Sequence, residues 1–333
     1  MKNRKFLACC LAATMGISLL AGCSSNGGST ASAGEQVVIY SNADDEAITA
    51  MKNALDANGY EGKYIVQGFG TSELGGKLLA EGTNLEADLV TMSTFYLQSA
   101  QDTNNMFLPL DFEVKTLEEF PDYCAPITSQ EGAIILNTEL LEQEGLPHPD
   151  SIKDLADPVY EEHLAVTDIQ SSSTAWLLIQ ALVDAYGEDG AEETLAAIYK
   201  NAGDHIETSG SGPLKLCRAG EIAIGFGLRH QAVADKSDGL PIDFVDPTEG
   251  NFSLTESVAV LDKSDKTNPL AMEMAQCIIE NGREELQQTY PNPLYEGESS
   301  DIANKSAYPK TFSEPLTFEL FQKHQQLSEN SKP

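Results

Sequence analysis

Short apolar runs that alternate with helically spaced segments restrict the fold of this chain more than any other feature. Residues 37–40, VVIY, form a β-branched and aromatic run without polar alternation, the mark of a buried strand. Residues 44–59 open with acids, place Ile48, Met51 and Leu55 at helical spacing and stop at Gly59, which predicts a helix. KYIVQGF then predicts a second strand, SELGGKLLAEG a weak helix, residues 87–92 a third strand and STFYLQSAQ a short helix. The alternation recurs downstream. Residues 132–147 read as strand then helix, 163–169 as a strand, and 174–186 and AEETLAAIYKNAG as helices. Residues 222–227, PIDFV and 257–261 read as strands, and 269–282 as an amphipathic helix. Such alternation specifies βα units, hence an α/β fold whose parallel sheet is covered on both faces.

The amino terminus carries a different message. Lys2, Arg4 and Lys5 precede an uncharged, mostly apolar stretch over 6–22, the pattern of a secretory leader. It ends in Leu20-Ala21-Gly22-Cys23, which resembles the lipobox of bacterial lipoproteins. That resemblance implies cleavage before Cys23 and lipidation of it, hence a lipid-anchored protein on the extracytoplasmic face of the cell membrane; an ordinary cleaved signal is the alternative. The following Ser/Gly-rich stretch, within 23–36, reads as a flexible tether.

Fifty-two acidic residues stand against 20 Lys and Arg, a formal charge of −32. A body this acidic repels nucleic acid and anionic lipid surfaces, so neither is an expected partner. Of the six cysteines, Cys124, Cys217 and Cys277 lie beyond the leader and lipobox, widely spaced and odd in number. They permit at most one disulfide, show no zinc spacing, and are expected as buried thiols.

Polar clusters follow the carboxyl ends of the predicted strands: Ser41-Asn42, Thr71-Ser72, Thr91 to Ser93, Asp168 to Thr174, Phe226 to His230, and Asp246 to Gly250. Ligands of open parallel sheets bind at those ends. Each cluster alone is an ordinary turn; together they imply one convergent site.

VVIYSNADDEAI, EADLVTMST and QEGAIILNTELLEQEGLPHPDSIKDLADPVYEEHLAVTDIQSSSTAW, with GSGPLKLCRAGEIAIGFG and SVAVLDKSDKTNPLAMEMAQ, resemble the extracellular solute-binding proteins of ABC importers. The closest resemblance is to the two-lobed group of ferric-iron, 2-aminoethylphosphonate and hexose-phosphate binders. It implies two α/β lobes joined by crossing hinge strands, a type II periplasmic binding protein-like fold. One lobe comprises 37–130 plus 251–333 and the other 131–250, with crossings near 129–136 and 252–261. It also implies a monomer that holds a small-molecule solute in the interlobe cleft, closes about its hinge and delivers to ABC permease subunits.

Iron binders of that group carry adjacent tyrosines where this chain reads IGFGLRHQAVA; Tyr186 and Tyr199 stand apart. An oxyanion fits better, and no cofactor or metal is expected. Ser171, Ser172, Ser173 and Thr174 precede a helix, whose unpaired N–H groups and dipole attract anions. Ser211 and Gly212 repeat the arrangement, with glycine allowing close backbone approach. Arg229 and His230 could add positive charge, since an Arg fork matches phosphate geometry. Ser41, Asn42, Thr71, Ser72 and Ser93 complete the candidate ligand contacts. Structural roles stand beside each: helix capping by one hydroxyl, a simple turn at 209–212, a surface ion pair for Arg229, a core place for Trp176. Asp168 and Glu249 could accept an amine or sugar hydroxyls, or belong to solvated loops.

Enzyme activity is not expected. There is no G-x-S-x-G, HExxH or P-loop, and the histidines at 148, 163, 205, 230 and 324 are far apart. No internal repeat supports a purely adhesive role. The expected function is capture of a phosphorylated or phosphonate-type organic anion; ferric-iron binding and, behind it, a secreted hydrolase are the alternatives.

Overall fold

The computed structural model describes residues 36–333, so the leader, most of the tether and the Cys23 lipidation fall outside the described residues. The chain runs β1 (Val37–Ser41), α1 (Asp45–Leu55), β2 (Tyr64–Gly68), α2 (Thr71–Glu81), β3 (Leu89–Ser93), α3 (Thr94–Asn104), β4 (Cys124–Asn137) and α4 (Thr138–Glu144). It continues β5 (Leu164–Thr167), α5 (Thr174–Ala202), β6 (Ile206–Glu207), α6 (Gly212–Ala219), β7 (Ile224–Leu228), α7 (Arg229–Ser237) and β8 (Ile242–Val245). Then come β9 (Asn251–Val260), α8 (Pro269–Thr289), β10 (Pro309–Lys310) and α9 (Phe318–Ser331).

The strand order is β2-β1-β3-β9-β4-β7-β5-β6. The outer pairs are parallel, as βα units require: β1 with β2 and β3, β5 with β6 and β7. The middle departs from the all-parallel expectation. β9 lies antiparallel to β3 and β4, and β4 antiparallel to β7 and β8. Two long strands thereby join two α/β lobes. Cys124 to Glu131 of β4 pair with β9, whereas Gly132 to Leu136 pair with β7, and β8 takes the flank that β9 leaves. The change of partner at Glu131/Gly132 is the crossing point. At Gly132 a Cβ would lie 2.6 Å from the Phe226 ring, so only glycine lets β4 pass there.

Each face of the sheet is apolar where a helix covers it. Ala47, Ala50, Met51 and Leu55 of α1 meet Ala271, Met274 and Ile278 of α8 over Ile39, Val258 and Val260. A second core joins the lobes from behind: Phe95 and Tyr96 of α3, Trp176 of α5 and Phe321 of α9 stack with ring centroids 4.6–5.6 Å apart. The α9 helix, unassigned in the sequence reading, is amphipathic and starts on a Thr317 side-chain cap to Leu320 N–H. It packs along α5 and also touches α3. Within α5, residues 174–186 and the helical run beyond them are two helical segments, as expected, broken at Gly187 (φ 70°). Cys124, Cys217 and Cys277 are buried free thiols.

Candidate functional site

A cavity of about 260 Å³ opens where the carboxyl ends of β1 and β2, the start of α2 and the two crossing strands meet the loops before α5 and α6. One wall is hydroxyl-rich: Ser171 to Thr174 and Thr208 to Ser211. Gly70, at the start of α2, stands opposite Ser171, since a Cβ on it would lie 3.7 Å from the Ser171 carbonyl oxygen. Gly210 packs against Thr174, where a Cβ would fall 2.1 Å from Oγ1, so the two serine loops form one surface.

Three helices start at this cavity: α2 after Gly70, α5 after Ser173 and α6 after Ser211. None has a side-chain cap hydrogen bond. The positive end of each dipole thus meets the cavity, although several first-turn N–H groups are already bonded: Ala175 and Trp176 N–H to the Ser172 and Ser173 carbonyls, and Gly212 N–H to that of Ser209. Within the serine loops, Ser172 Oγ is only a distant acceptor for Thr174 N–H (3.4 Å), and Ser209 and Ser211 Oγ lie 3.2 Å apart. These hydroxyls are thus positioned as donors to a third party.

The opposite wall is acidic. Asn42 Nδ2 donates to Thr71 Oγ1 at 3.0 Å and to Glu256 Oε1 at 3.2 Å. Glu256 stands on β9 and Gln130 on β4, so both crossing strands contribute to the cavity. Asp44 caps α1 through Ala47 N–H (3.2 Å) and accepts the Tyr290 hydroxyl. Burial, reinforced by the Asp44 charge, pushes Glu256 up to about 7, and burial likewise raises Asp44. Among the described residues, no Lys, Arg or His lines the cavity.

Residues 91–288 match the model of a bacterial extracellular solute-binding protein family. The chain belongs to this family. The description places such solute-binding proteins outside the cytoplasm. A Haemophilus influenzae protein described as uncharacterized is 27% identical over 197 residues, 56% of this chain and 56% of that protein. The match thus spans little more than half of that relative's length. Among solved structures, the periplasmic binding protein AfuA from Actinobacillus pleuropneumoniae, with fructose-6-phosphate bound, superposes with a TM-score of 0.70 at 20% identity, covering 88% of this chain and 96% of that one. Iron-bound HitA from Pseudomonas aeruginosa gives 0.69 at 18%, covering 89% and 99%. The substrate-binding protein of an ABC transporter from Agrobacterium tumefaciens gives 0.72 at 14%, covering 91% and 96%. At these identities the likeness is one of fold.

In this solute-binding protein, Asn42, Thr71, Ser171, Ser172, Ser173, Thr174 and Ser211 come together around the cavity. The other candidates do not line it. Ser41 is buried beneath it, accepting from Thr91 Oγ1 (2.7 Å) and Ala43 N–H (3.1 Å). Ser93 is fully buried at the end of β3, and Ser72 lies 3.4 Å from Gln325 Nε2. Gly212 opens α6 against the Glu207 side chain. Arg229 is buried with its guanidinium on Asp246, and His230 is buried against the Tyr290 ring, where desolvation lowers it to about 3 and leaves it without a positive charge for an anion. Glu249 is a structural acceptor for Ile152 N–H, Lys153 N–H and the Tyr186 hydroxyl, while Asp168 accepts Lys332 Nζ. The sequence reading missed Asp44, Gln130, Thr208 and Glu256. A signal existed only for Glu256, the one acid in the otherwise apolar and hydroxylated run SLTESVAVL.

Proposed function

We propose that this protein captures a small organic anion, a phosphonate or phosphate monoester, between its lobes and delivers it to the membrane permease of an ABC importer. The observation that carries this reading is the convergence of three helix starts and their serine hydroxyls on one cavity. Backbone N–H groups and neutral hydroxyls bind an oxyanion without a counter-charge, and lobe closure removes the competing water. Binding proceeds without chemistry on the solute. Ferric iron is less well served, because no tyrosine among the described residues lines the cavity to supply phenolate oxygens.

The lobes divide as 37–130 plus 251–333 and 131–250, and the monomer is held at the membrane by lipidated Cys23. The partner exchange at Glu131/Gly132 and the start of β9 at Asn251 support those limits.

A thermal-shift panel of alkylphosphonates, sugar phosphates, inorganic anions and ferric iron tests the reading. At 100 times Kd a ligand stabilises by about 2.7 kcal/mol, a shift of roughly 4 °C for a chain of this size. Phosphonates or phosphate monoesters are expected to give it; a shift with iron alone would sink the proposal. In the Ser171→Ala, Ser172→Ala, Ser173→Ala variant, affinity should fall about 10- to 100-fold. Ligand-free stability should change by less than about 1 kcal/mol, since the one side-chain bond these serines make to the start of α5 is the long Thr174 N–H to Ser172 Oγ contact (3.4 Å).

A further inference from the structure

Glu256 is a buried carboxyl group that no cation accompanies among the described residues. It is 7% exposed, lines the cavity and receives a hydrogen bond from Asn42 Nδ2 at 3.2 Å. On β9 it lies opposite Ser93 of β3 and Thr128 of β4, and residues opposite one another in antiparallel strands share a face of the sheet. The Ser93 and Thr128 hydroxyls are buried and without a partner among the described residues. The titratable groups around Glu256 are Asp44 and Glu46 at the start of α1 and Tyr290 at the end of α8. His230 of α7 stands against the Tyr290 ring and carries no charge.

An ionised Glu256 opposes any anion held against the serine wall of a cavity of about 260 Å³. Two like charges about 5 Å apart, at an effective dielectric constant of about 20, repel enough to weaken binding on the order of 100-fold. Protonation removes that repulsion and turns Glu256 from an acceptor into a donor, so that both walls then offer hydrogens to the anion. The flanking hydroxyls suit both states, because a hydroxyl donates to a carboxylate and accepts from a carboxylic acid. We propose that Glu256 is a proton gate: the cavity takes up its anion together with one proton on this carboxyl group, and gives up both on release. This rests on the oxyanion reading above. The proton comes from water and returns to it, and no bond of the solute changes. Burial and the Asp44 charge bring Glu256 up to about 7, so the gate works near neutral pH. The sign follows: affinity is full below that value and falls above it by up to about tenfold per pH unit, as the protein must first regain the proton.

Titration calorimetry on the purified mature protein between pH 6 and 8.5 decides the matter. The probes are ethylphosphonate and its monomethyl ester. The ester keeps one negative charge over this range and has no proton of its own to bring. Its affinity should fall about 20- to 30-fold from pH 6 to 8.5. At pH 8, titrations in buffers of different ionisation enthalpy should count close to one proton taken up. In Glu256→Gln, which keeps an oxygen for Asn42 and stays neutral, both the slope and the uptake should vanish. At pH 8.5 this variant should bind the ester about 10-fold or more tightly than the parent does, a gain that damaged folding cannot produce. Ethylphosphonate titrates in the same range, so for it the same gain and the same lost proton are read as the difference between the two proteins. In Asp44→Asn the fall should begin at lower pH, because the charge that holds the proton on Glu256 is gone. The same pH profile in parent and Glu256→Gln, or a flat profile for the ester in the parent, overturns the gate and leaves the oxyanion reading standing. Weaker binding to Glu256→Gln at every pH makes Glu256 an acceptor for the solute and also overturns the gate. Failure of both probes at every pH overturns the oxyanion reading and the gate with it.

Discussion

Arg229 holds Asp246 through Nε to Oδ1 at 2.7 Å and Nη2 to Oδ2 at 3.1 Å, and donates further to the carbonyls of Ala303 and Lys305. Its guanidinium lies 4.7 Å above the Phe244 ring. Four of its five donor hydrogens are spent within the protein and the side chain is buried, so its task is to tie the segment after Asp301 to β8. Arg229→Gln should leave Asp246 buried and unpaired at a cost of about 3–5 kcal/mol. Calorimetric melting should record that loss, while affinity measured below the transition stays within about 3-fold of the parent. A large loss of affinity with little loss of stability would return Arg229 to the ligand. The serines were legible because their residue type and their place after a strand carry the chemistry locally. Arg229 misled because an arginine after a strand looks the same whether its partner is a ligand or an aspartate 17 residues on. Glu256 stayed hidden because an acid in a strand ordinarily points to solvent, and only the crossing of β9 with β4 turns it into a cavity.

At the scale of elements, α5 and α9 are joined by a buried pair: Trp176 Nε1 donates to His324 Nδ1 at 2.7 Å. The bond requires neutral imidazole, and burial, aided by the Lys323 charge, lowers His324 to about 4. The sign of the linkage follows. The unfolded chain binds the proton at its ordinary pKa near 6.5 and the folded chain does not, so stability is full above that value and falls as pH drops toward 4. The loss from this residue should reach about 3 kcal/mol at pH 4. Denaturant melts between pH 7 and 4 should show it, and His324→Gln, which keeps an acceptor but does not titrate, should flatten that part of the curve. An unchanged slope would mean that carboxylates alone govern acid unfolding. The βα units were legible because each strand is an unbroken apolar run. The first half of β4 was not: CAPITSQ carries a proline and polar residues, and it is a strand because β9 lies beside it, with a bulge between Pro126 and Thr128. The α9 helix was equally obscure, since its apolar stripe has meaning only against α5 and α3.

Over the whole molecule the formal charge of −32 sets a long-range field that no single residue reveals. At about 0.01 M salt that field extends some 30 Å into solution, and at about 0.15 M only some 8 Å. Self-repulsion of the body weakens as salt is added, so the melting temperature of the ligand-free protein should rise over this range. The same field acts on an approaching solute. An alkylphosphonate dianion is repelled until it reaches the N–H groups between the lobes, so its association rate should rise with salt by roughly 3- to 10-fold. An aminoalkylphosphonate, whose ammonium cancels one of those charges, should change by less than about 2-fold. Stopped-flow fluorescence can follow both, because Trp176 is the only tryptophan and packs against Phe95 of α3 where the lobes join. The acidic surface keeps the protein soluble and slows the approach of anions without fixing which solute the cavity holds. Similar salt slopes for the two probes would show that the net charge of the solute does not govern its approach. A dianion rate that falls with salt would show that the three helix starts, not the acidic body, govern the approach.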